Sequence, residues 1–227
     1  MDVRHFLESR LSFIERFYRD ASAPFLERKR LIEAEEEPFV PPYSEDEEPP
    51  FLSEWLEADD SLQVLGQSCL SMLAASLHLY FRTWERQLRR PVDESLRSTF
   101  NKRGWFAGYA LYYARNFGVI FDSSPCNLAL LEELVLARNQ VQHPDEITSH
   151  HAYYSKDDLR KVSSPFFVGD RELELLASID QSESSWLLPP TIHVTAEKLA
   201  AALSEIRAFV AWLESTDHQG PGRLAPR

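Results

Sequence analysis

Residues 61 to 89 constrain the fold of this chain more than any other stretch. Leu62, Leu65, Cys69, Leu70, Leu73, Leu77, Tyr80, Phe81 and Trp84 recur there at helical spacing and make one wide apolar stripe. A stripe of that width needs packing partners on more than one side. It therefore predicts the central helix of an all-α bundle. Asp59, Asp60 and Ser61 read as its start, and Pro91 follows its end. His78 lies beside the stripe and reads as a packed or edge histidine.

The flanking segments repeat the same period. Phe6, Leu7, Ile14 and Phe17 predict a first helix over residues 3–32. Residues 96–117 carry Phe100, Trp105, Phe106, Tyr109, Tyr112 and Tyr113, read mainly as core, although aromatics beside Lys102 and Arg103 also suit base stacking. Gly104, Gly108 and Gly118 weaken this region as a single helix or permit close packing. Thr195 caps a last helix with Leu199, Leu203, Ile206, Phe209, Val210 and Leu213 on its buried face. Residues 147–194 read as an insertion. Within it, 165–170 and 190–194 are expected to pair as two short strands, with a short helix over 173–179 between them. The division expected is a first helix over 1–32, a linker or loop over 33–50, a helical domain over 51–215 and a disordered tail over 216–227.

Charge is unevenly placed. Residues 33–50 hold eight acids, five prolines and no base, which predicts a flexible linker or long loop. The chain has a net charge of −12, which argues against broad, sequence-blind binding of nucleic acid. Residues 82–103 run the other way, with seven bases against three acids. Arg86, Arg89, Arg90, Lys102 and Arg103 are therefore the candidate RNA-facing residues, weighed against a solvated helix end. Cys69 and Cys126 have neither metal-ligand nor disulfide spacing, so a reduced, cytoplasmic protein is expected. No membrane helix is expected, because no apolar run approaches about 20 residues.

Arg138, Asn139 and His143 carry the chemistry. On a helix ending before Pro144, Arg138 falls near the middle of an apolar arc made by Leu128, Leu130, Leu131, Leu134, Val135 and Val141. Its guanidinium cannot lose its charge, so it must meet a carboxylate, a phosphate or a partner subunit. Asn139 and His143, four residues apart, lie one above the other at the edge of that arc. The plainer alternative is an internal ion pair for Arg138 and a His143 that merely ends its helix. His143, Asp145, Glu146, His150 and His151 lack helical metal-ligand spacing and read as a solvated loop, so no metal and no cofactor are expected.

The order Arg138, Asn139, His143 resembles the motif of the HEPN superfamily, an Arg, a polar residue and a His a few positions on. The resemblance implies an all-α HEPN-like bundle, here with a small β-hairpin-like insertion before the last helix. It also implies a metal-independent endoribonuclease in which Arg138, Asn139 and His143 of two subunits form a composite site. RNA as substrate, a homodimer, a toxin or defence setting and an antitoxin or regulatory protein partner follow from it as expectations. Some toxins of the superfamily carry a Tyr two residues after the His, modified by a partner enzyme. This chain has Asp145 there, which speaks against that pairing. The alternative is a non-catalytic helical module that binds a nucleotide or a protein.

Overall fold

The computed structural model describes residues 1–43, 49–143, 150–162, 164–178 and 189–217. They form an all-α fold: α1 (Val3–Glu33), α2 (Leu52–Leu88), α3 (Glu94–Arg103), α4 (Trp105–Phe117), α5 (Leu128–Gln142), α6 (Lys156–Lys161), α7 (Asp170–Ser178) and α8 (Ala196–Asp217). Of the expected tail over 216–227, residues 216 and 217 continue α8, and 218–227 lie outside the described residues.

The 37-residue α2 is the axis of the molecule. Leu70, Leu73, Leu77 and Phe81 on its buried side are 0% exposed. By length and composition α2 could cross a membrane, but 56% of its apolar 18-residue window is buried inside the fold. It starts nine residues before Ser61 rather than at it. Asp59 and Asp60 are surface partners instead of caps. Asp59 accepts from Lys29 at 2.5 Å and Asp60 bonds His151 at 2.8 Å.

α1 runs antiparallel to α2. Lys29 meets Asp59 at one end, Arg10 donates to Ser76 in the middle, and Gln87 donates to the Met1 carbonyl at the other end. Leu7 and Ile14 enter the core, whereas Phe6 and Phe17 face outward beside Phe13. α8 lies against both helices. Its Arg207 bonds Glu8 and Glu15, and its Glu214 accepts from Tyr80 at 3.0 Å. The aromatic centre joins α2, α4, α8 and the 3-10 turn at Phe121–Ser123. Phe81 stacks on Tyr109 at 4.8 Å, and Phe121 meets Phe209 edge-on at 5.0 Å.

The expected third helix is two helices. Gly104 between them has φ +86°, a conformation open to glycine at little cost. The expected strand pair is absent. Among the described residues there is one isolated bridge, Tyr153 with Thr191. The two segments share the bond from the His193 N–H to the Phe167 carbonyl at 2.9 Å, but helix side chains take other backbone groups that a ladder would use. Glu133 accepts from the N–H groups of Phe166 and Phe167, each at 2.9 Å, and Gln67 donates to the Ile192 carbonyl at 2.9 Å.

Candidate functional site on the fifth helix

α5 begins at Asn127, whose side chain accepts from the Leu130 N–H at 3.1 Å. Leu131, Leu134 and Ala137 then drive one face into the core at 0% exposure. Glu133 points the same way and is 2% exposed. It accepts from the Tyr154 hydroxyl at 2.5 Å as well as from Phe166 and Phe167. Burial first, and then the Glu133 charge, push the Tyr154 hydroxyl well above the usual tyrosine range. Glu133 thus clamps the 152–168 region onto α5, a role that its sequence context does not signal.

Arg138 is one turn beyond Leu134 and half-buried. Its guanidinium donates to the Asn139 side-chain oxygen at 3.0 Å. Among the described residues no carboxylate lies within ion-pair distance of it. The internal ion pair weighed from the sequence is therefore not found there. Asn139 and His143 are both exposed, and the His143 N–H closes the helix on the Asn139 carbonyl at 3.0 Å.

A second histidine belongs to this region. His78 of α2 is half-buried and stacks on Trp105 at 4.7 Å with a 12° interplanar angle. Burial lowers its pKa, the Arg82 and Arg138 guanidiniums lower it further, and Glu85 opposes them. The Arg138 guanidinium therefore bears on the His78 imidazole of a different helix. His151 is turned to Asp60, while Asp145 and Glu146 lie outside the described residues.

The structure divides the five candidate RNA-facing residues between two places. Arg86 and Arg89 are exposed at the end of α2, and Arg90 donates to the Asn116 carbonyl near the C-terminal end of α4. Lys102 and Arg103 sit just before the N-terminal end of α4. A 13-residue helix separates the two groups by roughly 20 Å.

Lys102 and Arg103 face a cleft of about 900 Å³ that Asn139 also lines. Arg138 and His143 do not line it. Lys161 and Lys198 add two further cations to its rim, and Phe106, Leu136 and Phe166 contribute apolar wall. Lys198 also donates to the Val168 carbonyl and lies 3.7 Å from Asp170. No sequence pattern marks Lys161, Lys198 or Phe166, because they approach α5 only through the tertiary path of the chain. No protein-family model, no curated protein and no solved structure matches this chain.

Proposed function

We propose that the protein is a HEPN-like, metal-independent endoribonuclease that works as a two-fold dimer, with Arg138, Asn139 and His143 of both subunits at one site. The observation that carries this reading is the state of Arg138. It is a half-buried, permanently charged group whose described partner is the neutral Asn139 amide, next to an exposed histidine on the same helix end. A phosphate would supply the missing counter-charge, with bidentate geometry available to the guanidinium.

In the proposed reaction the substrate 2′-OH attacks its own adjacent phosphorus. The new O2′–P bond forms as the P–O5′ bond breaks. One His143 takes the 2′-OH proton, and His143 of the partner subunit gives a proton to the departing O5′. Arg138 offsets the charge gained on the phosphoryl oxygens, and Asn139 holds the guanidinium in place. The products are a 2′,3′-cyclic phosphate and a 5′-hydroxyl.

The test is incubation of a mixed RNA pool with the purified full-length protein in EDTA, beside Arg138→Ala and His143→Ala variants shown to be folded and dimeric. Cleavage with cyclic-phosphate ends, lost in both variants, supports the assignment. Intact RNA with the wild type would overturn it and favour the non-catalytic binding module. A cytoplasmic toxin or defence setting, with an antitoxin-like or regulatory protein partner, belongs to the same proposal.

A further inference from the structure

The cleft between α3, α4, α5 and the 162–170 region has a composition of its own. Its volume of about 900 Å³ falls in the range of roughly 300 to 1,000 Å³ common for small-molecule sites. Phe106, Leu130, Val135, Leu136 and Phe166 give it an apolar wall. Two exposed cations, Lys102 and Arg103, stand at its edge, and neither has a hydrogen-bond or ion-pair partner of its own among the described residues. Lys161 joins them, 60% exposed and 4.0 Å from Asp158. Asn101, Asn127, Asn139 and Glu132 also line it and supply amide donors and oxygen acceptors.

Each part matches a different part of one ligand class. The apolar wall with two phenylalanines suits a planar base. Lys102 and Arg103 suit phosphate oxygens. The amides and Glu132 suit ribose hydroxyls and base edges, and a fatty or purely inorganic anion would leave them without work. A paired base in a duplex is closed to such a wall, whereas an unpaired one can stack into it.

We infer that this cleft binds a nucleoside phosphate, base against the apolar wall and phosphate on Lys102 and Arg103. The source is either a free nucleotide or one residue of single-stranded RNA. In its RNA form the inference rests on the ribonuclease reading, with Asn139 as the residue common to cleft and motif. In its free-nucleotide form it stands without that reading.

The test uses the full-length His143→Ala protein, so that RNA is not consumed. Two fluorescent probes are titrated in EDTA: a labelled adenosine diphosphate and a short labelled single-stranded RNA. A duplex of the same sequence is the comparison. Lys102→Glu with Arg103→Glu removes the phosphate contacts, Leu136→Trp fills the cleft, and Arg16→Glu with Arg19→Glu on α1 is a charge-matched control. Circular dichroism checks that each variant is folded.

Saturable binding of at least one probe, about tenfold or more weaker in the Lys102/Arg103 variant and in Leu136→Trp but unchanged in the control, supports the inference. The probe that binds identifies the source. Binding of neither probe, or equal binding by the cleft variants and the His143→Ala parent, overturns it. RNA cleavage that persists undiminished when Lys102→Glu and Arg103→Glu are placed in the protein with His143 intact sinks the RNA form of the inference and leaves the ribonuclease standing. Cleft-dependent binding without any wild-type cleavage does the reverse.

Discussion

At the scale of single residues, buried Glu133 and half-buried His78 make the sharpest predictions. Glu133 is a carboxylate with three protein donors in a 2%-exposed position, so removing its charge weakens three hydrogen bonds at once. Glu133→Gln is expected to cost about 2 kcal/mol or more, read as a lower urea midpoint, and to loosen residues 166–167 in hydrogen exchange. His78 makes a pH prediction. Its pKa in the fold is lowered, by burial first and by Arg82 and Arg138 next. His193 is lowered as well, by burial and then Lys198. For both, the unfolded chain binds more protons between the lowered value and the ordinary histidine value near 6.5. Stability is therefore complete above that value and falls as the pH drops through it. Urea midpoints at about pH 7.5 and about pH 5.5 should differ in that direction, and His78→Phe should shrink the difference. Arg138→Ala should move the His78 titration upward in an NMR pH series, because one of the two cations opposing its protonation is gone.

At the scale of elements, α2 shows what hydrophobic spacing can and cannot specify. Its buried stripe is legible from Leu62 to Trp84, since burial of that face depends on the 3.6-residue period alone. Its start is not legible, because Asp59 and Asp60 look like caps until Lys29 and His151 arrive as partners. The same holds for the expected strands. The 165–170 and 190–194 segments do meet, with the His193 N–H donating to the Phe167 carbonyl at 2.9 Å, yet Glu133 and Gln67 take other backbone groups that a ladder would need. Gly66 records how closely the 190–194 segment approaches α2. A Cβ there would lie 2.5 Å from the Val194 carbonyl oxygen and 2.9 Å from its Cβ. Gly66→Ala should therefore destabilise the protein by about 1–3 kcal/mol despite its better helix propensity, seen as a lower thermal midpoint.

At the scale of the whole molecule, length along α2 separates the charged regions. Glu33 accepts from the Trp55 indole at 2.8 Å, Glu36 pairs with Arg30, and Phe39 meets Phe51 edge-on at 5.3 Å. The described parts of the acidic 33–50 stretch thus sit near the N-terminal end of α2. Arg86 is 34 helical positions further on, roughly 50 Å along the axis. Those described acids are too far from Arg86, Arg89 and Arg90 to mask them. The proposed composite site has a whole-molecule signature too. If each active site needs His143 from two subunits, mixing wild type with His143→Ala under subunit exchange should lower cleavage as the square of the wild-type fraction. A linear fall would mean that one subunit suffices.

Local spacing along the sequence determined that this chain is helical, which residues of α2, α5 and α8 are apolar on one side, and that Arg138, Asn139 and His143 share one helix end. These are short-range properties, set by the period of the helix and the chemistry of neighbouring side chains. Only the tertiary structure decided that Arg138 meets Asn139 instead of a described carboxylate. It also decided that Arg138 acts on His78, 60 residues earlier, and that Lys102, Arg103, Lys161 and Lys198 meet around one cleft. The link from Arg138 to His78 and the gathering of cations round the cleft join residues far apart in the chain. Their existence depends on how α2, α4, α5 and the 152–168 region pack, which no local pattern encodes.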